Sequence, residues 1–276
     1  MEAGPLITSI VLNWNLAEQT AACVASLLAS DYAPHRILVV DNGSSDDSVE
    51  ALQRRFGQRI EVVATGENLY YAGGCNVGLR TAMEHGADWA LVLNNDTIVA
   101  PDMLSWLVRT ATSAPDVGIV SPMIYWADQR SRIWALGGRD RRWLPFPRDV
   151  GRNEFDRGQY LQPLAVDYAT GCAMLLRREM LQRVGLFDPA YRMYYEDADL
   201  SVRARRAGFR LFAEPRAKMW HLISSSARRQ AATTVYQKSR YRARFYRQHA
   251  ARPWRGVTLA LVGGQELARA AAAWLG

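Results

Sequence analysis

Short apolar, β-branched runs alternate with helical-period segments over the first 120 residues. Ile7–Leu12, Ile37–Val40, Ile60–Ala64, Trp89–Leu93 and Val117–Val120 read as buried strands. Between them, residues 17–30 carry Val24, Leu27 and Leu28 on one side, and a Ser/Asp-rich start leads into Val49, Leu52 and Phe56 at helical spacing. Residues 74–86 and 101–113 complete the helices, with Pro101 suited to a first turn. Strand–helix alternation at this interval predicts βαβ units and a parallel sheet covered on both faces.

The rhythm breaks at residues 125–163, which are rich in Arg, Gly, Pro and Trp and predict loops or hairpins. Val166–Leu176 then reads as one long strand running across Thr170-Gly171-Cys172. Helices follow over 177–184 and 197–207, the second closed by Gly208, and Phe209–Ala213 reads as a late strand. From about residue 228 the chain becomes basic, aromatic and helical in pattern. No internal repeat is present.

Composition narrows the class. With 276 residues, 49% of them hydrophobic, the chain can bury a core as one large domain, or as one domain with a tail. Cys23, Cys75 and Cys172 lie far apart, which argues against a disulfide framework or a cysteine zinc site and points to a reducing cytosol. Leu6–Leu12 has no basic stretch before it, so no signal peptide is expected, and no apolar run reaches the 18–20 or so residues needed to span a bilayer. The net charge of +7 hides an asymmetry. Residues 1–202 hold 18 Lys/Arg against 25 Asp/Glu, whereas residues 203–276 hold 16 against 2. A basic back end points to phosphates: nucleic acid, a lipid head group or an anionic substrate.

In open α/β sheets ligands bind beyond the carboxyl ends of the strands. After the first strand comes Asn13-Trp14-Asn15, without the G-x-G-x-x-G of a dinucleotide fold. After the second comes Asp41-Asn42-Gly43-Ser44-Ser45-Asp46, whose carboxylate could accept bonds from a nucleobase or ribose, or simply form a turn and helix cap. Asn68 and the Gly73-Gly74-Cys75-Asn76 stretch follow the third strand, and paired glycines let a ligand approach backbone N–H groups. Asn94-Asn95-Asp96-Thr97 ends the fourth strand, where an acid could hold a hard cation against a diphosphate or cap the next helix. Glu196, Asp197 and Asp199 crowd three carboxylates into four residues. They either face a cation, substrate or solvent, or cap a helix. His221 follows a strand among apolar residues, a setting typical of structural histidines.

The order of these segments is more specific than any one of them. The series VVDNGSSD, NLYYAGGCNVG, VLNNDT, TGCAMLLRR and FDPAYRMYYEDADLSVRARRAGF, closed by a histidine, resembles the family 2 glycosyltransferases with a GT-A fold, and most of all their bacterial rhamnosyltransferase-like branch. The resemblance spans about residues 6–225 and implies a Rossmann-like, mostly parallel α/β sheet with helices on both faces, followed by a basic helical tail. It divides the chain into a transferase domain over 1–225, with a nucleotide-binding half at 1–120 and an acceptor half at 121–225, and a tail over 226–276.

The resemblance also implies roles. The donor would be a nucleoside-diphosphate sugar. Asp41 would meet the nucleobase, Asn13 and Asn15 would lie along the nucleoside, and Asn68, Gly73 and Asn76 would flank the ribose and diphosphate. Asn95 and Asp96 stand in the place of the family's D-x-D metal motif, from which this chain departs by having Asn94 at the first position. Asp96 and His221 would ligate Mn²⁺ or Mg²⁺. Asp197 would be the general base of an inverting displacement, with Thr170, Gly171, Glu196 and Asp199 shaping the sugar and acceptor site. The acceptor would be a glycan or a polyprenyl-diphosphate-linked sugar in cell-envelope polysaccharide synthesis, with rhamnose from a thymidine or uridine diphosphate donor the leading guess.

Two other classes compete. A sugar nucleotidyltransferase would carry a Gly-rich basic loop after the first strand, which Asn13-Trp14-Asn15 is not, and a non-catalytic GT-A-fold binding protein would not need Asp96, Asp197 and His221 together. The tail reads either as a helix packed on the core or as an amphipathic segment, over about residues 228–262, on an anionic membrane. The second reading places the protein in the cytoplasm, peripheral at the inner face of the membrane. Nucleic acid is disfavoured for lack of any motif.

Overall fold

The computed structural model describes residues 4–141, 144–222 and 231–250, together with positions 256, 257, 260 and 263. Twelve strands and seven helices are assigned among them. The first half runs β1 (Ile7–Asn13), α1 (Ala17–Leu28), β2 (His35–Asp41), α2 (Ser48–Phe56), β3 (Glu61–Ala64), α3 (Tyr70–Glu84), β4 (Trp89–Asn94), β5 (Thr97–Val99) and α4 (Met103–Ala111). Then follow β6 (Val117–Trp126), β7 (Ile133–Ala135), β8 (Gly138–Arg141), β9 (Leu144–Asp149), β10 (Leu164–Val166), β11 (Ala173–Arg177), α5 (Arg178–Val184), α6 (Glu196–Arg206), β12 (Arg210–His221) and α7 (Ala231–His249).

One large sheet runs β10-β12-β6-β11-β4-β1-β2-β3, with β5 added to β12 and β7 to β6. The pairs among β1, β2, β3 and β4 are parallel, as is β6 with β12. Strand β11 enters antiparallel between β4 and β6. Period-2 alternation sorts the buried residues onto two faces. Ile7, Val11, Ile37, Val39, Leu91 and Leu93 pack with α1, α2 and α4, while Ile10, Leu38, Val40, Ala90 and Val92 pack with α3, α5 and α6. The strands are therefore apolar on both sides, as a sheet between two helical layers requires.

Several expectations change. The long strand expected over Val166–Leu176 is two strands. β10 pairs with β12, β11 lies beside β4, and Thr170-Gly171-Cys172 forms the turn between them. Helix α3 begins at Tyr70 rather than near residue 74, so Gly74 and Gly78 lie inside it. A Cβ on Gly78 would fall 2.4 Å from Ile10 Cγ2, and one on Gly74 would fall 2.5 Å from Leu12 Cδ1. These glycines let α3 press against β1 and β2. Strand β6 runs six residues beyond Val120 and β12 eight beyond Ala213, because each pairs with the other along its length. The hairpin expected within 125–163 is β8–β9. Within the basic tail, α7 packs on the core. The remainder of 226–276 lies almost wholly outside the described residues.

Candidate active site

The carboxyl ends of β1, β2 and β4 carry a continuous polar network. Asn13 is fully buried. Its amide donates to Asp41 Oδ1 at 2.8 Å and to Ser44 Oγ at 3.1 Å, while its oxygen accepts from Thr20 Oγ1 at 2.6 Å. Thr20 accepts in turn from Asn95 Nδ2 at 2.9 Å. The other Asp41 oxygen accepts from the Ser44 backbone N–H at 3.1 Å. Asn15, at φ 55°, accepts from the Ser45 N–H at 2.7 Å, and its own N–H donates to Ser44 Oγ. Parallel pairing sets this arrangement, since Asn13 stands beside Asp41 and Leu12 beside Asn94.

A cavity of about 410 Å³ opens above these strand ends. Asn68, Asn95 and Asp96 of the expected donor set line it, joined by Asn94 and by Asn42, Trp14, Tyr70, Tyr71, Arg192, Met193, Gln237 and Tyr241. Asn13, Asn15 and Asp41 stand behind this wall. Both Asp41 oxygens take internal donors, so the residue braces the loop that shapes the cavity. Gly73 and Asn76 do not reach the cavity. Asn76 is buried, donates to the Phe187 carbonyl at 2.8 Å and accepts from the Phe187 N–H at 3.0 Å, which ties α3 to the segment before α6. A Cβ on Gly73 would meet Leu69 at 2.8 Å.

Asn42 had no assigned role in the sequence. It holds the loop ahead of α3 by donating to Asn68 Oδ1 and the Tyr70 carbonyl and accepting from the Leu69 N–H. Its place directly after Asp41 was the available signal. Gln237 and Tyr241 belong to α7, and nothing local in the sequence places that helix over a cavity 140 residues upstream.

His221 lies at the end of β12 beside Thr97 of β5, and its Nε2 stands 3.1 Å from Asp96 Oδ1. The ring is buried, edge-on to Trp134, and its Nδ1 has no hydrogen-bond partner. Among the described residues no group of three or more His, Cys, Asp or Glu converges on one point. Asp96 and His221 are thus a two-donor oxygen–nitrogen pair, and Asp96 opens onto the cavity. Such a pair suits a divalent cation whose remaining positions are filled by diphosphate oxygens and water.

The start of α6 gathers the second set. Asp197 Oδ2 accepts from the Gly171 N–H at 2.7 Å and Oδ1 from the Ala198 N–H at 2.7 Å. Burial pushes its carboxyl up against the pull of these N–H donors. Glu196 is 5% exposed, its Oε2 has no partner, and burial together with the neighbouring Asp197 pushes its carboxyl well up. Tyr71 ties this cluster to the cavity wall by donating to the Gly171 carbonyl. Half-buried Thr170 precedes the same turn and accepts from the Ala173 N–H at 3.3 Å.

Asp199 has a different environment from the one expected. It is buried against Arg203 Nε and His249 Nε2, each at 2.7 Å. Burial raises its carboxyl, but the bonds from His249 and Arg203 outweigh that and hold it low. Asp199 therefore anchors α7 to α6 rather than shaping an acceptor site. Tyr241 and Phe245 add ring contacts to Tyr191 and Tyr195, and Arg244 pairs with Asp188 at 3.0 Å. The three cysteines are buried, and burial disfavours their thiolates, raising the Cys23 thiol to about 12.

Non-glycine residues at positive φ concentrate in this region. Asn15, Tyr70, Arg192, Tyr194 and Tyr195 lie between 55° and 74°. Strained backbone of this kind persists where a site fixes it.

Comparison with known proteins bears on the family and the fold. The model of the family described as "Glycosyltransferase like family 2" matches residues 4–248. The chain is 30% identical over 241 residues to the N-acetylglucosaminyl-diphospho-decaprenol L-rhamnosyltransferase of Mycobacterium tuberculosis, covering 79% of this chain and 77% of that protein. It is 26% identical over 220 residues to the poly-beta-1,6-N-acetyl-D-glucosamine synthase of Staphylococcus aureus, covering 79% of this chain and 50% of that protein. Among solved structures, the mannosyltransferase PcManGT from Pyrobaculum calidifontis, in complex with GDP-Man and Mn²⁺, superposes with a TM-score of 0.62 at 18% identity, covering 99% of this chain and 76% of that one. GalNAc-T7 with UDP, GalNAc and Mn²⁺ gives 0.64 at 14% identity, covering 80% and 44%. The fold is that of GT-A glycosyltransferases, and this chain belongs to glycosyltransferase family 2.

Proposed function

We infer that this glycosyltransferase moves a sugar, rhamnose being the leading candidate, from a thymidine or uridine diphosphate donor to a lipid-diphosphate-linked glycan acceptor, with inversion at the anomeric carbon. The observation that carries the donor side is Asp96 at the cavity wall with His221 3.1 Å behind it. Together they would hold Mn²⁺ or Mg²⁺, which when bound offsets the charge growing on the diphosphate. Asn68 and Asn95 offer amide and carbonyl groups to the ribose and diphosphate. Asn13 and Asp41 brace them from behind.

On the acceptor side, Asp197 is the base. An acceptor hydroxyl loses its proton to the Asp197 carboxylate as its oxygen bonds to the anomeric carbon and the bond from that carbon to the diphosphate oxygen breaks. Burial makes Asp197 a stronger base than an ordinary aspartate. The Gly171 and Ala198 N–H groups fix its two oxygens, and Glu196 supplies a second carboxyl beside it. One carboxylate base opposite the leaving group is the arrangement of a single displacement.

The rhamnosyltransferase relative is named for a decaprenol-linked acceptor, which favours such an acceptor at a membrane surface here. Arg240 and Arg247 lie on the exposed side of α7 and are suited to anionic lipid, consistent with a protein peripheral at the cytoplasmic face. Among the described residues no helix is long and apolar enough to cross a membrane.

Thermal melts with UDP, dTDP, GDP and ADP, each with and without Mn²⁺, test the donor side. UDP or dTDP is expected to raise the midpoint, and Mn²⁺ to raise it further. A panel with no shift would overturn this reading.

A further inference from the structure

Asp96 and Arg192 are the two charged residues in the described wall of the cavity. Asp96 has His221 beside it. Arg203 and Arg244 are each paired with a carboxylate, whereas among the described residues Arg192 meets none. Its side-chain partner is Tyr70, with the guanidinium 4.6 Å from the ring centroid and Nη1 donating to the hydroxyl at 3.2 Å.

The backbone beneath this pair is fixed at some cost. Arg192 sits at φ 55° and Tyr70 at φ 58°. The Arg192 N–H donates to the Pro189 carbonyl at 3.0 Å, and its carbonyl accepts from the Ala72 N–H at 2.9 Å. The Tyr70 carbonyl accepts from Asn42, which is buried. Two strained residues from separate segments thus hold an unneutralised guanidinium at the mouth of the cavity, over an aromatic ring. Stacking of this kind orients the planar fork while leaving its other N–H groups free for an anion.

We propose that Arg192 is the donor-diphosphate contact, stabilising the bound diphosphate and the charge that grows on it as it leaves. The inference rests on the donor-site reading above. The charges favour it. Asn94 leaves one carboxylate at the strand end where a D-x-D motif would have two. One carboxylate, one divalent cation, one guanidinium and the two ionised oxygens of a nucleoside-diphosphate sugar sum to zero. Without the guanidinium the loaded site keeps a net negative charge. Charge-assisted bonds from a guanidinium to phosphate oxygens are also among the stronger hydrogen bonds. The cavity is therefore arranged to hold nucleoside diphosphate with less dependence on the cation than a two-carboxylate site.

Calorimetric titration with UDP and dTDP, in Mn²⁺ and in EDTA, tests this on the full chain. Arg192→Gln is expected to weaken the nucleotide that binds wild type by at least about tenfold in both conditions. Arg192→Lys should recover part of the loss, because it keeps the charge without the fork. All variants should melt as wild type does. Arg192→Gln binding as tightly as wild type would overturn the assignment. So would Arg192→Gln losing binding only together with a lowered melting temperature, since Arg192 would then act only as a loop staple. Wild type binding no nucleoside diphosphate would instead remove the donor-site reading itself.

Discussion

The strand-end network and the start of α6 solve opposite problems with the same kinds of side chain. At the ends of β1, β2 and β4, Asn13, Thr20, Asp41, Ser44 and Asn95 satisfy one another. At the start of α6, Glu196 and Asp197 are desolvated side by side, and one Glu196 oxygen has no partner. The first region is finished before a ligand arrives, which is what binding without reorganisation requires. The second retains proton-accepting capacity, and that is what a base requires. Asp199, two residues from Asp197, shows how finely this is drawn. Paired with Arg203 and His249, it is held low while its neighbours are pushed up.

The comparison breaks most severely at Asp41. Asp41→Ala removes one of the two acceptors of Asn13 Nδ2 and the acceptor of both Ser44 donors, in a buried network. The expected cost is about 3 kcal/mol of stability, read from urea unfolding, with a weaker response to UDP or dTDP. A variant as stable as wild type would show the network to be dispensable.

A smaller effect is expected at Glu196. A carboxyl whose folded pKa lies above its unfolded value binds more protons when folded. Its contribution is therefore present at low pH and is lost as pH rises from about 4.3 through the folded value. Glu196→Gln should flatten that decline while changing stability at acid pH by less than about 1 kcal/mol. Melting temperatures from pH 4 to pH 8 check this. Parallel curves for the two proteins would remove the desolvated carboxyl from the account.

The strand-end network was legible because strand-end chemistry is local. Asn13, Asp41, Asn68 and Asn94-Asn95-Asp96 each follow an apolar run that names its own strand. Parallel register then brings them together with no further information. The surroundings of Asp197 depend on distant pairings. Thr170-Gly171-Cys172 looked continuous with its apolar flanks, yet β10 and β11 pair with different partners, which leaves a turn where Gly171 can meet Asp197. The glycines of α3 have a packing reason that spacing alone does not reveal, because only the approach to Ile10 and Leu12 shows it. Asp199 and His249 are 50 residues apart. Their pairing belongs to the docking of α7, where amphipathic pattern could not choose between a core and a membrane. Among the described residues Arg192 has no carboxylate partner that would mark it locally. Its partner is instead an aromatic ring on α3.

The most direct test of the central claim is acceptor-dependent release of nucleoside diphosphate by wild type and Asp197→Asn, with dTDP-rhamnose and a polyprenyl-diphosphate-linked N-acetylglucosamine acceptor. Wild type should turn over with inverted product. Its rate should fall as pH drops through the raised Asp197 value, above the range of an ordinary aspartate. Asp197→Asn should lose at least about 10²-fold in kcat while still binding nucleotide. Turnover of Asp197→Asn near the wild-type rate would contradict the assignment of Asp197 as the base.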